Sequence, residues 1–83
     1  MKNLNLNEFT YDQLTFNGPY GLIVHNSYTL EKDGYKIVIF TLADGKWWTA
    51  ALYKNGKTIG EARTQKTPEK VLEEINQYFE NLK

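Results

Sequence analysis

A chain of 83 residues with ten basic and ten acidic side chains, no cysteine and one histidine reads as a single domain. Zero net charge argues against a polyanion binder that works on charge alone, and the lack of cysteine excludes a disulfide framework or a thiolate metal site. No apolar run approaches a membrane span, and Met1 to Phe9 alternates Leu with Asn where a secretory leader would be continuously apolar, so the expectation is a soluble cytoplasmic domain with no membrane partner.

Charge is unevenly spread: residues 32–70 carry eight bases against four acids, between two acidic ends. A basic centre attracts anionic partners. Lysines at hairpin ends and sheet edges also serve ordinary solubility.

Residues 1–19 form an N-terminal extended segment or short helix. Leu4/Leu6 and Phe9/Tyr11 have period two, which favours extended chain, whereas Glu8 to Phe16 has room for a helical turn. Asn17-Gly18-Pro19 is a break. From Tyr20 a long strand runs to Leu30. Asp33-Gly34, Asp44-Gly45 and Asn55-Gly56 then recur at equal spacing. These are the dipeptides of a two-residue type I′ hairpin loop, which needs positive φ at both central positions. The stretches between them are rich in β-branched and aromatic residues. Residues 20–64 therefore read as a four-stranded antiparallel meander, or five-stranded if the N-terminal segment joins it. Residues 67–82 read as a helix: Thr67 is the N-cap, Pro68 occupies the first turn, and Val71, Leu72, Ile75, Tyr78, Phe79 and Leu82 make one apolar stripe. The fold class is α+β, with the helix on one face of the sheet.

Two-residue loops fix which side chains share a face. One face carries the rows Leu30, Ile37, Leu52, Ile59 and Tyr28, Ile39, Ala50, Glu61, followed by Asn26, Thr41, Trp48, Arg63. Its aliphatic rows make the platform for Ile75 and Phe79 of the helix. The other face carries Thr29, Val38, Ala51, Gly60, then Ser27, Phe40, Thr49, Ala62, then His25, Leu42, Trp47, Thr64, with Glu31, Lys36, Tyr53 and Thr58 at the far end. It is a shallow trough edged by aromatics, more apolar than a solvated face needs to be. Three occupants are conceivable: the N-terminal segment, a second copy, or another partner.

Nothing in the chain points to catalysis. His25 has no Cys or Asp beside it in sequence, and one His with scattered acids matches no metal-ligand spacing. Gly56-Lys57-Thr58 is similar to the end of a phosphate loop but lacks the upstream glycine, and a hairpin turn accounts for it. No catalytic, metal or cofactor site is expected. Paired Trp47-Trp48 and six tyrosines suit a protein interface. The candidate contact residues are Lys36, Phe40, Trp47 and Tyr53, with Lys46, Lys54 and Lys57 as a cationic rim. The same set could stack bases and neutralise phosphates, so nucleic acid is the second reading, and a homodimer is the third.

Two resemblances bear on function. Asn55-Gly56-Lys57-Thr58-Ile59-Gly60-Glu61-Ala62 followed by a helix resembles the last hairpin and helix of double-stranded-RNA-binding domains. That family opens its final helix with consecutive lysines, where this chain has Thr67-Pro68-Glu69-Lys70. In size, β-meander topology and Lys/Asn/Tyr-rich composition the chain also resembles small phage-encoded proteins, some anti-CRISPR proteins among them. That likeness implies a non-enzymatic inhibitor that occludes a host protein's surface.

Overall fold

The computed structural model describes residues 3–42 and 45–81. Five antiparallel strands, β1 (Thr10–Gly18), β2 (Gly21–Lys32), β3 (Tyr35–Thr41), β4 (Trp48–Lys54) and β5 (Lys57–Gln65), form one sheet in sequential order. The helix α1 (Pro68–Glu80) lies against β3, β4 and β5. The strand count is thus five: the N-terminal segment enters the sheet as β1.

Turn chemistry sets the centre of the sheet. Asp33 and Gly34 have φ of 54° and 81°, and Asn55 and Gly56 have φ of 50° and 84°. Both loops contain two residues, flanked by the pairs Lys32–Tyr35 and Lys54–Lys57. Of the third turn dipeptide, Asp44 lies outside the described residues, as does Leu82 of the helical stripe. The β3–β4 ladder still has the expected parity, with Ile37 opposite Leu52 and Ile39 opposite Ala50. It is extended by the Leu42 N–H, which donates to the Trp47 carbonyl at 2.9 Å.

Parity on β3 then places the core. Ile37, Ile39 and Thr41 are buried, with the residues between them only partly covered. Thr67 caps α1, its hydroxyl accepting from the Lys70 N–H at 3.2 Å. Val71, Leu72, Ile75 and Phe79 complete the core with Ala50 and Leu52, so the helix covers the face on which Ile37 and Leu52 stand. Each large apolar side chain buried this way contributes about 1.5–3 kcal/mol.

β5 departs from the expected register. It spends nine residues against seven of β4. Tyr53 faces Thr58, but Leu52 faces Gly60, Ala50 faces Ala62 and Trp48 faces Gln65, with register shifts between Leu52 and Tyr53 and between Trp48 and Ala50. Uninterrupted alternation would have turned Glu61 towards the helix and Ala62 away from it. The first bulge reverses this: Glu61 is exposed, while Ile59 and Ala62 pack on the core. Burying an unpaired carboxylate costs more than losing one ladder pair, so the bulge is the cheaper arrangement. The Thr49 hydroxyl spans the second irregularity, donating to the Ala62 carbonyl at 2.9 Å.

The N-terminus joins the helix side of the sheet. A 3-10 turn (Leu6–Glu8) is closed by the Asn5 N–H donating to the Glu8 carboxylate at 2.8 Å. It puts Leu4 and Phe9 into the core. Asn76 of α1 clamps Leu4 from both sides: the Leu4 N–H donates to Asn76 Oδ1 at 2.8 Å, and Asn76 Nδ2 donates to the Leu4 carbonyl at 3.1 Å.

Two outcomes follow from this packing. Leu52→Ala is expected to cost about 2–5 kcal/mol in urea unfolding, because it opens a cavity under Ile75. Asn76→Ala is expected to cost about 1–3 kcal/mol, and Asn76→Asp to recover little of it, since a carboxylate cannot donate to the Leu4 carbonyl.

Candidate functional site

With both the helix and the N-terminal turn on one side, no described helix or strand lies over the other face of the sheet. Alternation from the buried β3 residues places Val38 and Phe40 there, together with Ser27, His25 and Ile23 of β2 and Ala51 and Tyr53 of β4. Leu42 and Trp47 continue it past the strand ends and are more than one-third exposed. Phe40 stacks on the His25 ring at 5.9 Å. The Lys66 ammonium sits 6.0 Å from the Trp47 ring centroid.

The candidate contact residues fall into three groups. Lys36 and Tyr53 face each other across β3 and β4 and line an open depression of about 770 Å³, together with Glu31, Val38 and the two type I′ turns. Lys36 approaches Glu31 at 3.8 Å, an exposed pair of little energetic weight. Phe40 and Trp47 lie towards the opposite end of the same face, with Lys46 in the loop before β4. Lys54 does not belong to this surface. It stands on the helix side, its ammonium 3.8 Å from the Tyr35 ring centroid and donating to the Asp33 carbonyl at 3.0 Å. Lys57 pairs with Lys54 and shares its side. A lysine rim drawn from turn residues thus divides between the two faces, because the parity that points Tyr53 one way points its neighbour the other.

Trp48 splits from Trp47 as alternation requires. It packs on the core edge in an aromatic run with Tyr28 (5.8 Å), which in turn meets Tyr11 (5.0 Å).

Pairing adds residues to the free face that the sequence-derived rows did not contain. Leu14 lies opposite His25 and Phe16 opposite Ile23, so the outer side chains of β1 continue the apolar surface beyond Phe40. Leu14 is 58% exposed and Phe16 50%. The signal was present as the Leu14/Phe16 alternation, but it acquires a face only once β1 is paired with β2. The ribbon's other side carries a polar network: the Tyr11 hydroxyl and Gln13 Nε2 both donate to Asn26 Oδ1, at 2.6 and 2.9 Å.

Among the described residues no cluster of three or more His, Cys, Asp or Glu side chains is arranged to hold a metal ion. The chain matches no protein-family model, no curated protein and no solved structure.

Proposed function

We infer that this chain is a non-enzymatic protein-binding domain that works by occluding a partner's surface with its helix-free sheet face, in the manner of small inhibitors carried by phages and mobile elements. The observation that carries this reading is the continuous apolar strip on that face, from Phe16 and Leu14 through His25 and Phe40 to Leu42 and Trp47. Monomeric soluble domains rarely expose such strips without a use for them. Aromatic anchors beside partly covered small residues are the composition of an interface centre, and Lys36 with Glu31 supplies a polar rim. Lys54 and Lys57 stand on the opposite side, which takes two of the three rim lysines away from the aromatics and favours a protein over a nucleic acid.

The test is affinity capture from host lysate with the wild type and three variants. Phe40→Lys and Trp47→Ala are each expected to weaken capture by about thirtyfold or more, the loss that goes with a central anchor. Lys57→Glu, on the other side of the sheet, is expected to leave it unchanged. Capture that survives both aromatic substitutions overturns the reading. Capture that collapses steeply with salt and depends on nucleic acid replaces it with the second one.

A further inference from the structure

The two edges of the sheet are built differently. β5, at one edge, is bulged twice, carries Lys57, Glu61 and Arg63, and has its Arg63 N–H taken up by the Glu74 carboxylate of α1 at 3.2 Å. These are devices that stop a strand edge from pairing further. β1, at the other edge, has no bulge and no contact from the helix; the one edge N–H met by a carboxylate is that of Gln13, held by the exposed side chain of its own neighbour Asp12 at 2.9 Å. The strand runs nine residues in unbroken register with β2 and contains no proline and no lysine. Its only charge is Asp12, and every residue but Gly18 is exposed. At about 3.4 Å per residue it offers roughly 30 Å of unpaired edge.

Which groups that edge presents follows from the Asp33-Gly34 turn. A two-residue loop makes Lys32–Tyr35 a hydrogen-bonded pair, so the even-numbered residues of β2 direct their main chain towards β3. The Asn26 N–H, which donates to Thr41 Oγ1 at 3.0 Å, conforms. Ser27, His25 and Ile23 therefore bond to Asp12, Leu14 and Phe16. Tyr11, Gln13, Thr15 and Asn17 are left with their N–H and C=O groups turned outward. The Gln13 N–H, met at 2.9 Å by the neighbouring Asp12 carboxylate, marks that direction.

We propose that this edge pairs antiparallel with the β1 edge of a second copy, about a two-fold axis at Leu14, to make a continuous ten-stranded sheet. The strand is self-complementary in the one register that uses all nine residues. Gln13 meets Thr15 of the other copy and Tyr11 meets Asn17, both as bonded pairs, with the exposed Asp12 carboxylate giving up the Gln13 N–H to the Thr15 carbonyl. Leu14 meets Leu14 as the closer, non-bonded pair. Asp12 falls opposite Phe16, and the two Asp12 carboxylates lie about 13 Å apart along the strands, beyond the screening length at physiological salt. Leu14 and Phe16 of both copies then form a four-membered apolar cluster on the helix-free face. A parallel or shifted pairing gives up this match; centring the axis on Asp12 would set two carboxylates side by side.

The outer half of the β1–β2 hairpin supplies the need. β3 pairs with β2 only from Ser27 onwards, and His25 and Val24 are the last β2 residues with a neighbour on that side, so residues 16–23 are a two-stranded ribbon in a molecule 46 Å long and 23 Å wide. Such ribbons are marginal in water without a third strand or a packed face. The second copy provides the third strand.

Sedimentation equilibrium over a dilution series, with amide hydrogen exchange at the highest concentration, tests this. The expected result is a species of twice the 9.7-kDa chain mass, with slowed exchange at Tyr11, Gln13, Thr15 and Asn17. Thr15→Pro removes an outward N–H at an edge position where proline is tolerated, and Leu14→Lys sets two ammonium groups on the axis. Each is expected to raise the dimer dissociation constant by about thirtyfold or more while circular dichroism shows a folded chain. Phe40→Lys, on the same face but away from the edge, is expected to leave it unchanged. A 9.7-kDa mass at every concentration overturns the proposal. So does a dimer that persists in both edge variants, or one that only Phe40→Lys dissolves. A monomeric chain that loses a captured partner on Thr15→Pro assigns the edge to a foreign strand and overturns it as well.

Discussion

One helix has to cover a five-stranded sheet, and it can cover only one side of it. The side is decided where Ile37, Ile39 and Thr41 alternate with Lys36, Val38 and Phe40 on β3. Ile37 and Ile39 in the core under α1, with Thr41 buried on the same side, fix the orientation of every strand that pairs in register with them. The Asp33-Gly34 turn transmits that orientation to β2, and through β2 to β1. From there it decides that Leu14 and Phe16 look away from the helix and that Tyr11 and Gln13 look towards its side. Reversing the parity of that one turn would exchange core and surface on two strands at once.

The N-terminal segment could have capped the free face and does not. Asn76 is the reason visible in the structure. Its amide satisfies both main-chain groups of Leu4, a buried residue whose N–H and C=O would otherwise need water, and it does so from the helix side. Leu4 and Phe9 then add to a core that a chain of this size needs to enlarge wherever it can. Closing the core at this end leaves the opposite face to its own side chains.

Legibility in the sequence follows how local the physics is. The turns at Asp33-Gly34 and Asn55-Gly56 depend on two residues with positive φ, and both are where their dipeptides placed them. The helix start needs Thr67 and Pro68 only. The rows shared by β2 and β3 follow from the Asp33-Gly34 turn by counting, and those shared by β3 and β4 have the parity that counting from Asp44-Gly45 gives. Counting fails on β5, where the competing term is long-range: Glu61 would face α1, and nothing in the local sequence announces a bulge. A clue was there, because the predicted row set Glu61 beside Ile39 and Ala50, an arrangement with an evident desolvation cost. Pairing of β1 was open in the sequence, as a fifth strand or a short helix, for a different reason. Gly18-Pro19-Tyr20-Gly21 is not a type I′ dipeptide, since proline fixes a negative φ, so the hairpin lacked the signature that marked the other turns. The same gap hid Leu14 and Phe16 from the candidate surface. Lys54 and Lys57 were grouped with it by nearness in sequence, and strand alternation separates them.

The β1–β2 ribbon carries the pattern of a half-buried sheet. On one side stand Leu14, Phe16 and Ile23; on the other, Tyr11, Gln13 and Asn26 bond to one another, and Val24 and Leu22 towards the tip depart from the polar run. Alternation of this kind gives a strand two chemically different faces, which is useful when one face is covered and costly when both meet water. A solvated ribbon would be better served by Thr, Lys and Glu on both sides. The chain places such residues on β5 instead, where Lys57, Thr58, Glu61 and Arg63 are exposed. Polar protection is therefore concentrated at the edge that bulges and the helix guards, and apolar surface at the edge and face that nothing described in the chain covers. That division orients the molecule: α1 and β5 form its covered and protected side, and the helix-free face with β1 forms the side whose apolar groups no described element covers.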